Sequence, residues 1–132
     1  RDLFYGSTHQ MPLYPGTGSI TERGVGNIFN APLDPGDDGA AFREAMDVVI
    51  LPALEAFRPD LIIISAGFDA HTRDPLANLN LVDADFAWIT RRLMDIADRS
   101  CEGRVVSLLE GGYDLVGLAV SSAAHVRALM GA

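Results

Sequence analysis

The chain has 132 residues, a length that suits one domain with a sizeable core, and its 48% hydrophobic and 21% charged composition excludes a disordered polymer. Its formal charge is −8 and its ten basic residues are all arginine and dispersed, so nucleic acid meets no basic stripe. No apolar run approaches the ~20 residues that a membrane crossing needs.

The chain opens Arg1-Asp2 with neither Met nor a signal-peptide pattern, so residue 1 is not expected to be the natural start. Leu3 to Ser7 reads as a short strand. The stretch "THQMPLYPGTGSITERGVG" that follows is rich in Pro and Gly, and a loop of that length in a compact domain is often functional. Ile28 to Leu33 reads as a second strand, ended by "DPGDDG", where Asp37 or Asp38 can cap a helix. From Ala40 to Phe57 apolar residues recur at helical spacing, with Pro52 expected to kink or break the helix.

Leu61 to Ser65 is apolar and β-branched, as in a parallel strand covered on both faces. A second long loop, "GFDAHTRDPLANLN", leads to a helix that Asp83 is expected to cap, with Phe86, Ile89, Leu93, Ile96 and Ala97 on its inner face. Arg104 to Leu109 is the fourth strand. Leu115 to Met130 is the last helix, with Leu118, Ser122, His125, Val126 and Leu129 in register. Strands alternating with helices predict an α/β domain with a mainly parallel sheet and a ligand site beyond the carboxyl ends of its strands.

Two turns at that edge carry the chemistry. "IIISAGFD" leaves a buried strand through a glycine and presents Asp69, which as a carboxylate can bind a metal, act as general acid or base, or cap a helix or loop. "VVSLLEGGYDL" ends on Gly111 and Gly112, whose freedom would let Tyr113 swing over a neighbouring site; the plain alternative is a tyrosine lying on the surface with its hydroxyl wet. Cys101 stands alone, which rules out an internal disulfide or a cysteine-built zinc site and fits a reducing, cytoplasmic setting.

Together "STHQMPLYPGTG", "SAGFDAHTRDPLANLNL" and "LLEGGYDL" resemble the C-terminal half of the histone deacetylase and acetylpolyamine amidohydrolase family, in its bacterial and class II-like forms. The resemblance implies a three-layer arginase/deacetylase-like α/β fold, incomplete here, with residues 1–132 as the C-terminal part of a single deacetylase domain. It implies that Asp69 is a ligand of a catalytic Zn2+ (or Fe2+), and that Tyr113 donates a hydrogen bond to the substrate carbonyl. Tyr14 and Leu76 would line the acyl-lysine tunnel, with Gly112 at the substrate. Ser7 and Thr8 would belong to a structural K+ or Na+ site. The implied substrate is an acetylated amine, acetyl-lysine or acetylpolyamine; a homo-oligomer is compatible with it.

The family also needs a tandem His-His dyad and an Asp-x-His pair. No two of His9, His71 and His125 are adjacent, the Asp-x-His spacing present is Asp69-Ala70-His71 inside "GFDAH" itself, and in the family the dyad and the ligand pair lie before the segment where this chain starts. These 132 residues alone are therefore expected to lack deacetylase activity and stoichiometric zinc, and to expose a sheet edge that promotes self-association. His9 and His125 read as packing residues and His71 as a loop residue. The alternatives are a non-catalytic chain acting as a binding or assembly partner, and an unrelated doubly wound module. The absence of a Gly-rich phosphate loop and of any lysine counts against the second.

Overall fold

The computed structural model describes residues 2–132. β1 (Tyr5–Gln10) and β2 (Ile28–Leu33) form one parallel pair; β3 (Ile62–Ala66) and β4 (Val105–Leu109) form another. Among the described residues no ladder joins the two pairs, so each strand keeps one unpaired edge. The helices are α1 (Gly39–Ala45), α2 (Leu51–Phe57), α3 (Asp83–Cys101) and α4 (Leu115–Leu129), with a π-helical turn, Met46–Ile50, between α1 and α2.

The sequence-based boundaries of β2, β3 and β4 are met within a residue, whereas β1 starts later and runs three residues past Ser7. Polar Thr8, His9 and Gln10 do not end β1, because His9 bonds the Gly18 carbonyl and Gln10 accepts from the Asn78 amide. The connection from β1 to its parallel neighbour β2 is an irregular loop rather than a helix.

Asp38, not Asp37, caps α1, accepting from the amides of Ala40 (2.9 Å) and Ala41 (3.2 Å). Pro52 interrupts the local α-helical hydrogen bonding, as expected, without ending the helical run. It falls in the first turn of α2, where its missing N–H costs little, and the wider turn before it is closed by an i→i+5 bond from Leu51 N–H to Met46 O. Asp83 does not cap α3: Val82 holds the cap position, and the Asp85 carboxylate reaches back to its N–H at 2.9 Å.

One core joins both pairs of strands to the helices. It includes Ala31 and Leu33 of β2, Phe42, Met46, Ile50, Leu51 and Leu54 of the first helical unit, Ile62 and Ala66 of β3, and Phe86, Ile96, Ala97 and Cys101 of α3. In α4 the buried residues are Gly117, Ser121, His125 and Ala128; His125 and the part-buried Leu118 meet the expected register, whereas Ser122 and Leu129 are displaced by the residue before each and Val126 faces solvent. Small residues on that inner face let the backbone come close to α3, and the larger valines are left outside. On the β3–β4 pair, Ile63, Val106 and Leu108 are exposed on one face, although parallel sheets are normally covered on both. No described helix is long and apolar enough to cross a membrane.

Candidate functional site

β3 and β4 run parallel and in register, Ala66 opposite Leu109, so their exits emerge side by side. The pairing continues past both strands: Glu110 N–H donates to Ala66 O at 3.0 Å and Phe68 N–H to Gly111 O at 2.8 Å. These bonds hold the turn carrying Asp69 against the turn carrying Tyr113.

The Asp69 carboxylate lies half-buried against two glycines. A methyl group on Gly111 would stand 2.5 Å from Oδ2 and one on Gly67 2.9 Å from Oδ1, so both positions exclude any side chain while Asp69 keeps its place. Burial pushes the Asp69 carboxyl above its ordinary range, a hydrogen bond from its own backbone pulls it down, and the Asp74 charge pushes it up again. No positive group among the described residues enters that balance. Asp69 also caps no helix: α4 is capped by Asp114, which accepts from Gly117 N–H at 2.7 Å, and α3 by the arrangement at Val82. Of the roles open to this carboxylate, helix capping is therefore removed.

Gly112 has φ +137°, a conformation that L side chains rarely adopt, and a Cβ there would also crowd Leu118 and Phe68 at 3.1 and 3.2 Å. It turns the chain so that Tyr113 follows with its side chain 58% exposed and its N–H bonded to Asp74 Oδ2 at 2.9 Å. Leu76, on the same loop as Asp69, is 64% exposed. Asp69, Tyr113, Gly112 and Leu76 are thus gathered on two loops that are bonded to each other.

Tyr14, Ser7 and Thr8 lie elsewhere. Tyr14 is 94% exposed on the loop between β1 and β2. Ser7 and Thr8 sit in β1, opposite Asn30 and Ala31, in the other pair of strands. His9 Nε2 is 3.0 Å from Gly18 O, which can only accept, so the proton is on Nε2 and Nδ1 accepts from Ser7 Oγ at 3.0 Å. His9 therefore ties the "PGTG" loop to β1. Gln10 Oε1, accepting from Asn78 N–H at 2.7 Å, links that strand to the loop of Leu76.

The other two histidines are interior. His71 is buried, and its Nδ1 accepts from Arg73 N–H at 3.1 Å, a loop role. Thr90 Oγ1 donates to Phe86 O, so it accepts from His125 Nδ1–H at 2.7 Å; Nε2 is then left to accept from Ser107 Oγ at 2.8 Å. Burial lowers the His125 pKa, in keeping with this neutral state. Cys101 is fully buried.

Among the described residues no three His, Cys, Asp or Glu side chains converge to hold a metal ion. Asp69, a half-buried carboxylate without a cationic neighbour among the described residues, fits one ligand position of a divalent ion. A complete set of three protein ligands is not met among the described residues. Sequence reasoning gave no role to Asp74, which bonds both loops; its one visible signal was the Asp-Pro pair, a turn marker.

Comparison with known proteins gives a consistent result. The family model described as histone deacetylase domain matches residues 1–129. The chain is 46% identical over 134 residues to "Histone deacetylase 10, chloroplastic" of Oryza sativa subsp. japonica, covering 98% of this chain and 30% of that protein. It is 46% identical over 103 residues to the "Histone deacetylase-like amidohydrolase" of Pseudomonas aeruginosa, covering 77% of this chain and 27% of the relative. Among solved structures, "Crystal Structure of HDA15 HD domain" superposes with a TM-score of 0.89 at 36% identity, over 97% of this chain and 37% of that one. The chain thus spans roughly a third or less of the length of these relatives.

Proposed function

The chain belongs to the histone deacetylase domain family, and on that premise we propose that it supplies part of the active site of an enzyme hydrolysing N-acetylated amines. In the reaction, water adds to the acetyl carbonyl and the C–N bond breaks, giving acetate and the free amine. The observation that carries this reading is the locked pair of turns, which brings a half-buried carboxylate, with no cation beside it among the described residues, and an exposed phenol to one edge of the β3–β4 pair.

A bound Zn2+, or Fe2+, would polarise the amide carbonyl and make its water more acidic, with Asp69 as one ligand. Tyr113 donates its phenolic hydrogen to the carbonyl oxygen, and the bond strengthens as negative charge gathers there. Leu76, exposed on the loop of Asp69, would offer an apolar wall to the acyl-lysine or acetylpolyamine chain, and Tyr14 of the loop between β1 and β2 is assigned to the same tunnel by the family resemblance alone. Ser7 and Thr8 offer oxygens to a structural K+ or Na+. This sequence holds no His-His pair, and its Asp-x-His spacing, Asp69-Ala70-His71, is the "GFDAH" turn itself, with His71 buried and bonded to Arg73 N–H, so on this reading the general base and the other ligands come from residues outside these 132.

The test is Tyr113→Phe in the longest natural protein that carries these residues, with acetate release from an acetyl-lysine peptide as the readout. Turnover should fall by ~10²-fold or more, the usual effect of removing an oxyanion donor. Unchanged turnover removes Tyr113 from the chemistry.

A further inference from the structure

Asp74 is 9% exposed, yet among the described residues its carboxylate pairs with no cation; its partners there are three backbone amides. Oδ1 accepts from Leu76 N–H at 2.9 Å and Ala77 N–H at 3.3 Å, a local turn that one oxygen suffices to make. Oδ2 is directed across the site to Tyr113 N–H at 2.9 Å, 39 residues away in sequence. Burying a carboxylate is costly unless hydrogen bonds replace its water, and amides from two separate loops do so here.

That placement brackets the turn. Gly111 is held through its carbonyl by Phe68 N–H, and Tyr113 through its amide by Asp74, with only Gly112 between. The first bond ties the turn to the residue before Asp69, the second to the residue two before Leu76. The Cα of Tyr113 is therefore fixed with respect to the carboxylate and the apolar wall together. A second link between the same loops, Arg73 Nε to Asp114 Oδ1 at 3.0 Å, is exposed, and pairs of that kind hold little.

We propose that Asp74 is the positioning residue that sets Tyr113 over the site and locks its alignment to that of Leu76. The proposal rests on the reading of Tyr113 as the carbonyl-binding phenol, and it adds a residue that acts through Tyr113 without touching substrate.

The discriminating variant is Asp74→Asn. Its Oδ1 keeps the local turn, while an NH2 group replaces Oδ2 and faces the Tyr113 N–H, donor against donor. Asp74→Ser is the companion variant, since a hydroxyl can hold the local turn but offers no second oxygen. Arg73→Ala is the control that cuts only the exposed link. All are made in the longest natural protein that carries these residues, with two readouts: hydrogen exchange at the Tyr113 amide, and kcat and KM for an acetyl-lysine peptide.

For Asp74→Asn and Asp74→Ser, exchange at Tyr113 should accelerate by about tenfold or more. Their kcat should fall by about 10- to 100-fold with KM moved less than about threefold, as for a misplaced catalytic group. Arg73→Ala should change neither. Unchanged exchange overturns the inference, and so does faster exchange at full kcat, which would make Asp74 a structural residue only. A wild-type protein that hydrolyses no acetylated amine defeats the functional reading instead, and equal exchange rates would then still overturn the pinning of Tyr113 separately.

Discussion

Gly111→Ala separates stability from function at this site. Gly111 does not occupy the left-handed region, so alanine pays no backbone penalty there and the consequence falls on its neighbour. The new Cβ would lie 2.5 Å from Asp69 Oδ2 and 2.6 Å from Cγ, where ordinary contact begins near 3.4 Å, so the carboxylate must withdraw by about 1 Å. Turning a short side chain off its preferred rotamer costs roughly 0.5–1.5 kcal/mol, so the unfolding free energy should drop by only about 1 kcal/mol. A reacting group misplaced by about 1 Å loses ~10²-fold in rate. The assay pairs urea unfolding with acetate release, both in the longest natural protein that carries these residues. Near wild-type turnover would refute the claim that Asp69 works from its observed position. A stability loss above about 3 kcal/mol would refute the claim that the cost is confined to one side chain.

Asp69→Asn should stabilise the protein at neutral pH in the absence of metal. The folded pKa of Asp69 is raised above 3.8, so ionisation costs stability as pH climbs through the folded value; the gain from Asn should vanish below pH 3.8, which urea titrations at several pH values would reveal. His125 carries the opposite sign: its folded pKa lies below 6.5, so stability is full above 6.5 and is lost as pH falls towards the folded value. His125→Ala, which strands Ser107 and leaves a cavity, should cost about 2–4 kcal/mol in urea unfolding. Replacing Ile63 and Val106 by threonine on the bare sheet face should reduce self-association of the 132-residue chain in sedimentation velocity while costing less than about 1 kcal/mol.

Legibility of the fold tracked how far each segment's own chemistry decided its structure. β2 and β3 were legible because their apolar content suits a covered strand whatever surrounds it. β1 was cut short in the reading since Thr8, His9 and Gln10 look like loop residues; the partners that satisfy His9 and Gln10, at Gly18 and Asn78, are nine and 68 residues distant. The register of α4 was legible at Leu118 and His125 but not at its small residues, for a related reason. Periodicity favours its large apolar residues, but the buried residues include Gly117, where a Cβ would meet the His71 ring at 2.9 Å, and the small Ser121 and Ala128.

At the site, Asp69 and Tyr113 stood out because each follows an apolar strand through glycine, a local pattern. Asp74 did not, since its decisive bond spans 39 residues and leaves no trace in spacing. The sequence could suggest where a carboxylate and a phenol emerge; which residue aligns them is decided by the approach of two loops.

Acetate release from an acetyl-lysine peptide is the most direct measurement, made with zinc present on the isolated 132-residue chain and on the longest natural protein that contains it. If Asp69 and Tyr113 are one part of a divided site, the isolated chain should release acetate at the background rate and the longer protein should turn over. Robust hydrolysis by the isolated chain would contradict that division, and a longer protein that carries the His-His and Asp-x-His pairs yet releases none would contradict the proposed activity itself.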